Sequence, residues 1–346
     1  MNTLLSILIA LFIFCIIIVV HEFGHFIVAR LCSINVQEFS IGMGPVIFRK
    51  QGKNTLFTIR LLPIGGFCQM GEDEESDDPN SFRKKPVLFK MAVIAAGAFM
   101  NLILGFILSV ALMLSNGEAI SAQIVYFADD AVSRQYGLEM NDVIDKVNGV
   151  KVFTVQDITY QLGNDEDGIV DFVVVRNDEK VTLDNVHFAL AKDEETGKQT
   201  LTYDFKVARE KITATNVFPY AFKTSIYYGR IILMSLGDII RGKFGINDLS
   251  GPIGIVTVIG DVTKEHGFDF GFILEIAILI SINIGIFNLI PLPALDGGRL
   301  VFLLIEGIRR KTIKAEIEGM IHFVGLALLM VLMVVVTFND IKKLFI

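Results

Sequence analysis

The 346-residue chain is 52% hydrophobic with a mean hydropathy of +0.57, too apolar for an ordinary soluble domain, so membrane spans are the first expectation. Its formal net charge of −7 argues against a nucleic-acid partner, because phosphate binding needs a basic surface. Cys15, Cys32 and Cys68 form no closely spaced ligand pair, so reduced thiols without a disulfide framework are expected.

Leu4 to Val20 is the first of four runs long enough to cross roughly 30 Å of hydrocarbon at about 1.5 Å per residue, and its helix should continue to about Ala29. It has no basic n-region and no small-residue cleavage site before His21, so it reads as a retained span rather than a signal peptide. Asn35 to Met70 reads as β structure. Val46-Ile47-Phe48 and Leu56-Phe57-Thr58-Ile59 flank a turn-like Lys50-Gln51-Gly52-Lys53-Asn54, and Gly42, Gly44, Pro45, Pro63, Gly65 and Gly66 argue against a helix. The acidic run Glu72 to Asp78 reads as a solvated loop, and Met91 to Leu114 as the second span. These segments make 1–115 the first part of a membrane core.

Residues 116–215 should form an inserted β-rich domain and linker. Gln123 to Phe127 opens it, Asn148-Gly149 is a hairpin turn, and Phe172 to Arg176 pairs with Lys180 to Leu183 around Asn177-Asp178. Together with Gly137-Leu138 and the polar step to Asp142, this pattern resembles a PDZ domain over about 118–190; a small β-rich domain without a peptide groove is the alternative. Within 216–265, Phe218 to Arg241 sets Tyr227, Ile231, Met234 and Ile239 against Lys223, Arg230, Asp238 and Arg241 at helical spacing. That pattern predicts an amphipathic surface helix rather than a fifth span. Phe268 to Ile290 and Ile321 to Phe338 are the third and fourth spans, within a second core part over 266–346. The fold expected is an α-helical integral membrane protein of about four transmembrane helices, with a β-rich membrane-associated segment and an inserted extracytoplasmic PDZ-like domain. Lys and Arg crowd the loop after span one and the loop between spans three and four, which makes both cytoplasmic and puts 115–267 and both termini outside.

His21 and His25 are four apart and project from one helix face, a spacing that lets two imidazoles hold one Zn²⁺. Glu22 is placed to take a proton from water beside that metal. Three ionisable groups at the end of an apolar run cost several kcal/mol unless metal or partners compensate, which weighs against a merely structural pair of histidines. Gly24 in the same helix fits either close approach of another backbone or a tolerated defect. A catalytic zinc usually takes a third protein ligand. Span three runs inward and brings Asp296 to the depth of the histidines, whereas Glu275 lies about 21 residues earlier on the outer half. Asp296 is the choice, and His322 at the start of span four is the competitor. His187 and His266 fall outside the membrane.

The pairing of His21-Glu22-Phe23-Gly24-His25 with Leu295-Asp296-Gly297-Gly298 resembles the site-2 protease family of intramembrane zinc metalloproteases, over nearly the whole chain. Phe39-Ser40-Ile41-Gly42-Met43-Gly44-Pro45, Pro63-Ile64-Gly65-Gly66-Phe67 and Ser250-Gly251-Pro252-Ile253-Gly254 add to the likeness. The chain departs from the family at Ala98, where proline is common, and at Arg299, where histidine is frequent. The resemblance implies Zn²⁺ held by His21, His25 and Asp296, Glu22 as general base, and Asn288 handling the substrate strand, a helix-stop role being the alternative for Asn288. It also implies a bacterial inner-membrane protease acting on single-span membrane proteins already cut by another protease, with anti-sigma factors or remnant signal peptides as substrates. The PDZ-like domain would filter them. Two rival functions are a non-enzymatic membrane scaffold and a metal transporter; the intact His21, Glu22, His25 and Asp296 speak against the first, and the lack of an inverted repeat against the second.

Overall fold

A computed structural model describes residues 3–71, 78–165, 167–192, 199–242, 251–266 and 269–343. Residues 72–77 of the acidic run, and Ser250, fall outside them. The chain divides into two compact units, Met1–Leu108 with Ile232–Ile346, and Ser109–Ile231.

The first unit holds the long apolar helices. Helix α1 covers Thr3–Leu31, so the span runs past both histidines; its 29 residues reach about 43 Å, more than the hydrocarbon core needs. Strands β1 (Glu38–Gln51) and β2 (Leu56–Gln69) follow, then α2 (Val87–Asn116), which starts right after Pro86, a residue suited to helix entry. After the second unit come α5 (Pro252–His266), α6 (Phe270–Leu289), α7 (Asp296–Arg309) and α8 (Ala315–Lys343). Among the described residues, four helices (α1, α2, α6 and α8) are long and apolar enough to cross a membrane. The stretch between the third and fourth spans, expected as a loop, carries the ordered helix α7. Its 14 residues are too few and too charged to read as a span, which is why hydropathy passes over it.

β1 and β2 each fold back on themselves, so that two strands make a four-row sheet. Residues 46–51 run antiparallel to 56–60 (Val46↔Arg60, Gln51↔Leu56), as the turn residues predicted. The first half of β1 then lies parallel to 56–59 (Phe39↔Phe57, Ile41↔Ile59) and antiparallel to the end of β2 (Phe39↔Cys68, Ile41↔Gly66). The row order is therefore 46–51, 56–60, 38–41, 66–69, with 66–69 outermost among the described residues. Phe26 of α1 packs edge-on against Phe39 and Phe57, which fixes the sheet on the helix. Met43, Val46, Ile47, Phe48, Leu61 and Leu62 remain exposed, a hydrophobic surface suited to lipid.

Helix packing in this unit follows the small residues. A Cβ at Gly24 would lie 2.5 Å from the Ala96 carbonyl oxygen, so α1 and α2 touch at backbone distance. Gly24 is thus a contact and not a defect. Ile13 and Ile17 of α1 are buried with Ala277 and Ile280 of α6. At the other end of the bundle, Asp340 of α8 accepts hydrogen bonds from the Gly251 and Gly254 N–H groups, both 2.9 Å, and so closes the start of α5.

The second unit is a sheet in the order β10 (Phe205–Lys211), β3 (Glu118–Phe127), β4 (Val143–Val147), β6 (Ile169–Arg176), β7 (Glu179–His187), with β5 (Val150–Lys151) beside β4. β8 (Leu190–Lys192) pairs with β9 (Gln199–Leu201). Both expected hairpins form. Asn148 and Gly149 take φ of 48° and 76° between Val147 and Val150, and Asn177 and Asp178 take 51° and 64° between β6 and β7, the left-handed pairs that tight hairpins need. Helix α3 (Val155–Gly163) starts where Asp157 reaches back to accept from the Thr154 N–H at 3.0 Å. Ile124, Leu138, Ile144, Leu162, Phe172 and Val174 fill the core.

Arg176 ties this unit together. It donates to both carboxylate oxygens of the fully buried Asp142 (2.7 and 2.8 Å), to Glu139 (2.6 Å) and to the Gly137 carbonyl (2.7 Å). Asp142 holds the guanidinium even more firmly charged than usual. Helix α4 (Val217–Ile240) forms where amphipathic periodicity placed it. Its Tyr220 donates to Glu210 (2.8 Å), and its Arg230 pairs with Asp157 and stacks on Phe153.

Candidate metal centre

The second half of α1 carries His21, Glu22 and His25, and the first residue of α7 is Asp296. Asp296 reaches the histidines through a tight crossing from α6. The chain bends over Ile290–Leu295, where Leu292 N donates to Ile290 O (2.7 Å) and Gly298 N to Leu295 O (3.1 Å). Any side chain at Gly297 would strike the Ile290 backbone, its Cβ lying 2.6 Å from the carbonyl carbon, so this return is open only to glycine. Ala294 sits at φ 76°, and its N–H donates to Nδ1 of His322 at 2.9 Å.

The three side chains converge. His21 Nε2 lies 3.1 Å and His25 Nε2 3.4 Å from Asp296 Oδ2, and the two Nε2 atoms are 3.2 Å apart. Tetrahedral zinc with bonds of about 2.0–2.1 Å sets its ligand atoms roughly 3.3–3.4 Å from one another. The observed triangle matches that spacing on every side. Asp296 Oδ2 is buried and makes no hydrogen bond, although two ring nitrogens stand beside it. Three potential electron-pair donors facing one point at this spacing form a site that a cation completes. Among the described residues this is the one group of histidine and carboxylate ligands so arranged.

Helix α2 supports the site from behind with residues four apart. His25 Nδ1 donates to the Val93 carbonyl at 2.8 Å, which leaves Nε2 free as a ligand. Gly97 makes room for both rings: a Cβ there would lie 2.6 Å from His25 Cε1 and 2.7 Å from His21 Cε1. Asn101 brings its amide to 3.3 Å from His21 Nδ1. Sequence reasoning missed these three, because a carbonyl and an absent side chain leave no residue-type signal. The one available clue was Asn101, an amide in the middle of a mostly apolar span.

Of the other residues singled out, Glu22 stands within electrostatic reach of His21, His25 and Asp296, and its Cγ would be 3.2 Å from a Cβ at Gly66, so it faces row 66–69 of the sheet. Asn288 is half-buried in the last turn of α6, outside the triad. His322 is not a member of the triad; its Nδ1 holds the Ala294 turn and its ring packs on Phe302. Glu275 is an early residue of α6, about two-thirds of that helix away from its Asp296 end.

Residues 9–332 match the model of peptidase family M50. The chain is 32% identical to the zinc metalloprotease RasP of Shouchella clausii, covering 100% of both chains. It is 30% identical to the regulator of sigma-W protease RasP of Bacillus subtilis, covering 99% of both. Four apolar helices, a triangle of zinc-spaced ligand atoms and likeness along the full length agree, and the chain belongs to peptidase family M50, the site-2 protease family, as a zinc metalloprotease.

Proposed function

We propose that this protease hydrolyses peptide bonds within, or at the edge of, the transmembrane segment of single-span membrane proteins. The observation that carries the reading is the His21–His25–Asp296 triangle, with sides of 3.1–3.4 Å, built on a membrane-spanning helix. His21, His25 and Asp296 hold the metal. Bound zinc supplies Lewis acidity at the scissile carbonyl and eases the ionisation of water. Glu22 takes a proton from the attacking water, whose oxygen bonds to the carbonyl carbon. As the C–N bond breaks, Glu22 returns the proton to the leaving amine nitrogen.

A substrate helix hides its carbonyls in i→i+4 bonds, so it has to unwind to react. The β-rich segment 35–70 has its outermost described row, 66–69, beside Glu22, and an extended segment adds there as a strand. The last turn of α6 brings Asn288 eight residues before Asp296, a place from which its amide holds that strand. The second unit acts as a PDZ-like filter outside the bacterial inner membrane, admitting substrates already cut by another protease, and the metal lies toward the cytoplasmic side. The name of the Bacillus subtilis relative, regulator of sigma-W protease, supports a regulatory membrane protein such as an anti-sigma factor as the substrate.

The test is purified full-length protein with its zinc quantified, incubated with a model single-span substrate. One zinc per chain is expected, and Glu22→Gln should keep the metal while losing about 10²–10⁴ of the rate. Full cleavage by Glu22→Gln would refute the mechanism.

A further inference from the structure

The geometry points to Asn101 as a positioning residue: its amide oxygen accepts from Nδ1–H of His21, and so presents Nε2 of that ring as a lone pair to zinc. The inference rests on His21 being a zinc ligand. A neutral histidine that binds metal through one nitrogen carries its proton on the other, and that N–H is steered by an acceptor in the surrounding shell. For His25 the acceptor is the Val93 carbonyl, 2.8 Å from Nδ1. For His21 the group facing Nδ1 is the Asn101 amide, at 3.3 Å.

An asparagine amide presents its nitrogen or its oxygen to the same neighbour by a half turn about its terminal torsion. With Nδ2 toward the ring, His21 must accept at Nδ1 and keep its proton on Nε2, where it would point at Asp296 and block a metal. With Oδ1 toward the ring, the proton sits on Nδ1 and Nε2 is free. The amide's far atom is buried without a partner. That holds in either orientation, so it does not choose between them; the metal does.

The residue is well placed to act by position. Asn101 is fully buried, and its own carbonyl accepts from Ser281 Oγ of α6 at 2.8 Å, which pins this turn of α2. It lies one helical turn beyond Gly97 and two beyond Val93, so a single face of α2 sets the orientation of both imidazoles.

Full-length protein in detergent micelles, titrated against a chromogenic chelator, gives zinc affinity without any substrate. Asn101→Leu fills the space and removes the acceptor, and should weaken zinc about 10- to 100-fold. Asn101→Asp keeps an acceptor oxygen and should stay close to wild type. Wild-type affinity in Asn101→Leu overturns the inference, as does equal loss in both variants, which would mark a packing role. Should Asn101→Leu fail to fold, Asn101→Asp decides alone, and loss of zinc there overturns it. His21→Ala tests the reading beneath: undiminished zinc in that variant removes His21 as a ligand and the inference with it, whereas loss there with none in Asn101→Leu leaves the ligand set standing and Asn101 without the role.

Discussion

A single methyl group at Gly97 should disable this enzyme through its metal. Gly97→Ala places a carbon 2.6 Å from His25 Cε1 and 2.7 Å from His21 Cε1. Carbon atoms rest about 3.5–4.0 Å apart, so each ring would have to retreat roughly 0.8–1.4 Å. Neither is free to do so. His25 is held by its bond to Val93, and α1 is already in backbone contact with α2 at Gly24. Overpacking of this kind costs about 1–3 kcal/mol. If the ligands yield rather than the helices, that becomes about 5- to 150-fold in zinc affinity. Displacing reacting groups by about 1 Å costs roughly 10² in rate as well. Chelator competition and cleavage of a single-span substrate read the two effects, with Gly237→Ala as the comparison, since nothing lies within 4 Å of its added Cβ. A Gly97→Ala protein with wild-type zinc affinity and rate would refute the claim that α2 sets the rings.

The remaining predictions concern the third ligand and the second unit. Asp296→Ala should lose zinc outright, while His322→Ala, which removes the acceptor of the Ala294 N–H, should weaken it less; zinc quantification on both variants checks this, and the reverse order would make His322 the ligand. Arg176→Leu leaves the carboxylate of Asp142 buried without its main partner and should destabilise residues 109–231 by about 3–5 kcal/mol. Limited proteolysis of the full chain reads this as faster cleavage in that unit with zinc content unchanged, and wild-type resistance would refute it.

Much of the architecture was legible because the signals are strong. Long, mostly apolar runs marked α1, α2, α6 and α8, and Asn148-Gly149 and Asn177-Asp178 marked hairpins because left-handed backbone favours such residues. The i, i+4 spacing gave His21 and His25, and the depth of Asp296 followed from counting residues along span three. What stayed hidden depends on the third dimension. Rows 38–41 and 66–69 pair across long returns whose glycines and prolines do not set a register, and α5 is too short, and α7 too short and too charged, for a hydropathy reading. The clamp of Arg176 on Asp142 joins residues 34 apart, each of which reads as an ordinary surface charge.

The strand addition proposed at row 66–69 also bears on selectivity. A strand edge meets its guest through N–H and C=O groups, and these are the same in every peptide. Side-chain identity is therefore a weak passport at this point. Under the strand addition proposed above, how readily a helix lets go of its own backbone would distinguish one transmembrane segment from another, and glycine, proline and other poor helix formers near the cleavage point should favour cleavage. Selection would then rest on the melting of the target more than on its spelling.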